Sequence, residues 1–139
     1  MFTLSIGYPD GEGEAQRRSL SGSGLVPHEV YGRVTAFSQT VETTGLDDVE
    51  IKVEDGNSCL HITYCERYLA LVIIDAMAPV NEEAMEDAEI YDAFFMLIRV
   101  AGRHLLSRDA AHEVMRHYLW HLDRHPGYQW DECRLDRMQ

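Results

Sequence analysis

Basic residues are scarce in this chain, and lysine is almost missing: Lys52 and eleven arginines stand against twenty-four acids, for a net charge of −12. Affinity for bare nucleic acid or an anionic membrane rests on Lys and Arg neutralising phosphates, so neither is an expected partner. Cysteine is also sparse. Cys59, Cys65 and Cys133 are odd in number and show no C-x-x-C spacing, which argues against a disulfide framework or a zinc knuckle and for free thiols in the cytoplasm. Long apolar runs are absent. The longest, Leu69 to Ile74, is far short of the roughly 20 residues that span a bilayer. Met1 leads into Phe2-Thr3-Leu4-Ser5-Ile6 without a basic segment or a long apolar core, so no signal peptide is expected and the predicted location is cytoplasmic.

The charge that is present is concentrated. Residues 42–92 hold fourteen acids against Lys52 and Arg67, whereas the flanks nearly cancel. A field of one sign costs stability through self-repulsion, and it attracts cationic partners and speeds their encounter. The remaining composition, 45% hydrophobic and 26% charged, is that of a globular protein. A chain of 139 residues suits a single domain, 1–139, that buries about 68–70% of its unfolded surface without staples.

Phe2, Leu4, Ile6 and Tyr8 alternate with small residues and predict a first strand over 2–8. Residues 9–24 collect glycines among charged and serine residues and predict a mobile loop with no regular structure. Pro27 suits a first helical position, and Val30, Val34, Phe37 and Val41 form one stripe of a helix over 27–41. Three strands follow, 49–53, 60–64 and 68–74, the first two joined by the hairpin signal Asp55-Gly56-Asn57-Ser58. The run Leu69–Ile74 does not alternate, which predicts a central strand covered on both faces.

Residues 76–92 carry the densest acids and read as a solvated loop, a short exposed helix or a partner contact. Residues 93–100 read as a strand, although a helix also fits. Ser107 is a candidate N-cap for a helix over 108–124, with Asp109 in its first turn. At 100° per residue, Ala111, Val114, Met115, Tyr118, Leu119 and Leu122 share the face toward the sheet. Trp120 points the opposite way, among Glu113, Arg116 and Arg124. It is either an interface anchor or a side chain covered by the 9–24 loop. Pro126-Gly127 closes the helix, and 128–130 reads as a last strand.

Catalytic and metal patterns fail on spacing. A zinc-protease helix needs H-E-x-x-H, but in His112-Glu113-Val114-Met115-Arg116-His117 the second histidine falls one residue late, about 140° from the first. His117, His121 and His125 step by four and could chelate, yet no acidic or Cys ligand accompanies them. The glycine-rich stretches lack the Lys-Ser/Thr of a phosphate loop. Cys59 and His61 share a strand face, but the acidic surroundings oppose a thiolate nucleophile. The expectation is a protein that is not an enzyme and has no cofactor and no metal.

Two segments resemble a known family. Val49-Glu50-Ile51-Lys52-Val53-Glu54-Asp55-Gly56 continues through Leu60-His61-Ile62 to Tyr68-Leu69-Ala70-Leu71-Val72-Ile73-Ile74-Asp75. Leu105-Leu106-Ser107-Arg108-Asp109-Ala110-Ala111-His112-Glu113 leads through a helix to Pro126 and Trp130-Asp131-Glu132. Together, over about residues 28–134, they resemble the immunity proteins of bacterial polymorphic toxin systems, in particular the first-described immunity family found beside deaminase-type toxins. The resemblance implies an α+β fold, a mainly antiparallel sheet with two principal helices packed on it. It also implies a cytoplasmic toxin inhibitor used in interbacterial competition, and it carries over no catalytic residues.

The expected partner is therefore a cognate protein toxin with a basic surface, a deaminase or a nuclease, whose cleft the acids occlude. The candidate contact set is Asp47, Asp48, Glu82, Glu83, Glu86, Asp87, Glu89 and Asp92, with Trp120 as an aromatic anchor. The alternatives are a type III secretion chaperone, which usually begins with a helix and dimerises through one, and a phage-type DNA-mimic inhibitor, whose acids would be spaced like phosphates along one surface.

Overall fold

The computed structural model describes residues 1–9, 17–44, 48–83, 85–91, 97–133 and 136–137. Its strands are β1 (Phe2–Pro9), β2 (Arg17–Leu25), β3 (Val49–Glu54), β4 (Cys59–Tyr64), β5 (Leu69–Ile74), β6 (Met77–Pro79), β7 (Ala88–Tyr91), β8 (Leu97–Val100), β9 (Leu105–Ser107), β10 (Trp130–Glu132) and β11 (Asp136–Arg137). The helices are α1 (Pro27–Thr44) and α2 (Arg108–His121). The fold is α+β and, among the described residues, every strand pairing is antiparallel.

The large sheet runs β10-β6-β5-β4-β3-β1-β2, with β9 also pairing with β5, and a small sheet runs β11-β8-β7. One edge of β5 is shared end to end: β9 takes Leu69–Leu71 and β6 takes Ile74. The predicted two-sided burial of β5 follows from its place between two cores. Ala70, Val72 and Ile74 join Phe2, Leu4, Ile6, Val30, Val34, Val114 and Tyr118 beneath the helices. Leu69 and Leu71 face the other way, into a second core with Ala88, Ile90, Ile98 and Val100 of the small sheet. The molecule thus has three layers: helices, large sheet, small sheet. No described helix is long and apolar enough to cross a membrane.

Local chemistry explains the boundaries. At α1, Glu29 reaches back to accept the Val26 N–H at 3.2 Å, half of a capping box, just ahead of Pro27. At α2, the Ser107 hydroxyl accepts the Ala110 N–H at 3.1 Å, as predicted. Asp55 Oδ1 closes the β3–β4 hairpin by accepting the N–H groups of Asn57 (2.9 Å) and Ser58 (2.7 Å), while Gly56 takes φ +100°.

Six expectations are corrected. The run 76–92, read as a loop or short exposed helix, contains the strands β6 and β7, and α1 continues to Thr44 rather than stopping at 41. Of the loop predicted across 9–24, Pro9 ends β1, residues 10–16 lie outside the described residues, and the chain is a strand from Arg17 onward, because Leu20, Gly22 and Leu25 pair with Ile6, Leu4 and Phe2 of β1; glycine content concealed the pairing. α2 ends at His121 rather than 124, since Leu122 takes a left-handed φ of 53° as its C-cap and is 53% exposed instead of facing the sheet. The last strand begins at Trp130, not at 128. Of the strand expected over 93–100, Leu97–Val100 is β8, and residues 93–96 lie outside the described residues.

Candidate functional site

The described residues of the acidic run, 80–83 and 85–87, form no regular element and are held at both ends by backbone bonds. The run links β6 of the large sheet to β7 of the small one, and both ends are tied. Val80 N–H donates to the Gln129 carbonyl and Asn81 N–H to that of Arg103, each at 2.7 Å, and Asn81 Nδ2 donates to Leu105 O at 2.9 Å. Asn81 Oδ1 in turn accepts the Glu83 N–H at 3.0 Å. At the far end, Arg67 Nη2 donates to the Glu86 carbonyl (3.2 Å), and Met85 packs on the second core. With the backbone satisfied inward, Glu82, Glu83 and Glu86 are exposed.

The predicted contact residues separate by role. Glu82 and Glu83 line an open cleft of about 330 Å³ whose opposite wall is Gly127, Tyr128 and Gln129. Asp87 is exposed, but its Oδ1 accepts the Gly102 N–H at 2.8 Å and so helps to hold the loop. Glu89, also exposed on β7, sits opposite exposed Arg99 of β8, which in turn stands opposite Asp136 of β11. Asp48, partly exposed, precedes β3 with φ 57° and donates its N–H to Tyr64 O at 2.9 Å, across the β4–β5 turn from Glu86. Asp47 and Asp92 lie outside the described residues.

Trp120 is 49% exposed and stands edge-on to Tyr31 of α1, with ring centroids 6.1 Å apart. Tyr31 therefore braces one side of the indole. The other side opens on a cleft of about 410 Å³ lined by Glu113, Arg116, His117, Trp120, His121 and His125. His125 also makes an edge contact with Tyr128 at 5.5 Å, so a single turn, 125–128, separates this cleft from that of Glu82 and Glu83. The walls from Tyr128 and Gln129 were missed in the sequence because they lie more than forty residues from the acids and carry no charge.

The three stepping histidines do meet: the His117 ring lies 4.5 Å from that of His121 and 5.1 Å from that of His125. His125 Nδ1 accepts the Gly127 N–H at 2.9 Å, which puts the ring proton on Nε2 and removes its free lone pair. Among the described residues no three His, Cys, Asp or Glu side chains are arranged to hold a metal. Partial desolvation, then the neighbouring His121 and His125, hold the His117 pKa below the ordinary histidine value.

Cys59 and His61 do share β4, and their titrations move apart. Burial and then Glu54 push the Cys59 thiol up, whereas desolvation and then Lys52 push His61 down. Both shifts favour a neutral thiol beside a neutral imidazole, the reverse of a thiolate–imidazolium pair. At the start of α2, Arg108 is buried, with Nη2 donating to Cys65 O at 2.8 Å and its guanidinium 4.6 Å above the Tyr64 ring. Tyr64 in turn lies with its hydroxyl 2.7 Å from His112 Nε2. This set locks α2 to the β4–β5 turn.

The fold defines the class: an α+β protein with a mainly antiparallel sheet and two helices packed on one face. No protein-family model matches the chain, nor does any curated protein or solved structure.

Proposed function

We propose that this protein is a cytoplasmic, non-enzymatic immunity protein that captures a cognate cationic toxin and occludes its active-site cleft. The observation that carries this reading is the anchored acidic loop, whose backbone bonds turn inward while Glu82, Glu83 and Glu86 point to solvent. Backbone bonds at both ends of the loop reduce the backbone ordering needed on binding, leaving the side-chain rotamers of the glutamates as the entropy lost when they meet Lys or Arg. The net charge of −12 steers the encounter, and close charge pairs across such interfaces are coupled by about 1.5–7 kcal/mol. Trp120, half exposed and packed against Tyr31, supplies the aromatic anchor of this reading.

The test is co-expression with candidate cationic toxins. Wild type should rescue growth, and Glu82→Lys, Glu83→Lys and Glu86→Lys together should weaken the complex by at least about 100-fold and abolish rescue. Asp87 is left intact because it holds the loop. Full rescue by the triple variant would remove this surface from the account.

A further inference from the structure

α1 does not cover the whole width of the large sheet. It packs on β1, turning Val30 and Val34 into the first core, and β2 lies beyond it as the last strand in the sheet order. The helix-side positions of β2 are those opposite the core residues of β1, with Gly22 facing Leu4 and Leu20 facing Ile6. Gly22 has no side chain to fill the angle between strand and helix, and Leu20 is 50% exposed. A groove of about 490 Å³ therefore stays open between α1 and β2, in the size range of small-ligand sites. Leu4 and Ile6 form its floor, and Leu20 and Phe37 line it further along. Phe37 packs on Tyr8, with ring centroids 5.2 Å apart, at the end away from Gly22.

Arg33 is the only charged side chain among the described residues that line this groove. Its guanidinium lies over Gly22, where a methyl group would collide with Nη1. Arg33 follows Glu29 by four residues, the spacing of a helical ion pair, but the Glu29 carboxylate is turned back to accept the Val26 N–H at 3.2 Å. Among the described residues no carboxylate pairs with Arg33. Glu82, Glu83 and Glu86 follow β6, which is five strand spacings from β2, about 24 Å and about three Debye lengths. Their field is largely screened at that distance. In a protein of net charge −12, the groove is thus an apolar channel with a cation at one end.

We propose that this groove binds a small monocarboxylate with an unbranched aliphatic tail. The carboxylate meets the Arg33 guanidinium over Gly22, and the tail lies along Leu4, Ile6 and Leu20 toward Phe37. Arg33 and Phe37 are one helical turn apart on α1, about 6 Å along its axis, which sets that direction. An arginine–carboxylate pair is charge-assisted and can be bidentate, and the tail beyond it removes the apolar walls from water. Charge complementarity disfavours the other simple occupants. A cationic ligand is repelled by Arg33, a neutral apolar one leaves the guanidinium unanswered, and a compact inorganic anion gains nothing from the apolar walls. The groove shares no residue with the acidic surface, so this site stands apart from toxin capture.

Titration of the ¹⁵N-labelled full chain with butanoate, hexanoate and octanoate, followed by amide chemical shifts, tests this. Octanoate should bind, with the shifts centred on Leu4, Ile6, Leu20, Gly22, Arg33 and Phe37, and each added methylene should tighten binding by about two- to fourfold. Octylammonium should bind more weakly than octanoate. Arg33→Gln should weaken octanoate by at least about fivefold, leave the affinity for uncharged octanol as it is, and keep the urea midpoint, because the side chain has no ion-pair partner to lose among the described residues. A wild type that does not bind octanoate, or shifts that map elsewhere, would overturn the proposal. So would octylammonium bound as tightly as octanoate, an Arg33→Gln variant with unchanged octanoate affinity, or an equal loss of octanol in that variant.

Discussion

Gly102 shows how one missing side chain positions the acidic loop. A methyl group there would overlap the Met85 carbonyl, and the Gly102 N–H is held by Asp87. The loop and the turn after β8 are thus in backbone contact, an approach that only glycine permits. Gly102→Ala should cost about 3 kcal/mol in urea unfolding, since neither backbone can yield without breaking that bond. In the sequence Gly102 reads only as the end of a strand. Its partners, Met85 and Asp87, are seventeen and fifteen residues away, and no local pattern encodes those contacts. Trp120 was easier to place: its angle around α2 predicts exposure, and it is half exposed, with Tyr31 packed against it.

Among the elements, α2 was legible at its start and not at its end. Ser107 and Asp109 are strong local signals, and the apolar stripe Ala111, Val114, Met115, Tyr118 and Leu119 is buried as its spacing demands. The helix nevertheless stops three residues early, at a leucine in a left-handed conformation that favours glycine. Leu122→Gly should therefore raise stability by about 1 kcal/mol, measured as a higher urea midpoint, because the exposed side chain contributes little burial. β2 failed in the opposite sense. Glycine and serine give it the look of a loop, and its strand character comes from pairing with β1.

For the whole molecule, the chemistry that titrates near neutrality lies in histidines. His61 and His117 both have depressed pKa values in the folded state. The unfolded chain takes up protons near pH 6.5 and the folded one only lower, so the unfolded state binds more protons as pH falls and stability falls with it. The urea midpoint should drop between about pH 7.5 and about pH 5.5, and His117→Gln should shrink that drop; an unchanged profile would show that the His117 ring is as solvated folded as unfolded.

The sequence by itself determined the class of fold, the meander β3–β5, the helix starts and the acidic character, because periodicity, capping and charge are local properties. Only the tertiary structure decided which acids are free. Glu82, Glu83 and Glu86 point outward, Asp87 is drawn into a backbone bond and Glu89 stands opposite Arg99, since such pairings depend on neighbours that chain order does not reveal. It also decided that Trp120 and the Glu82–Glu83 cleft lie on either side of one turn, and that β2 is last in the order of the large sheet. Both follow from long-range pairing, in which the partner of each residue is set by the packing of three layers.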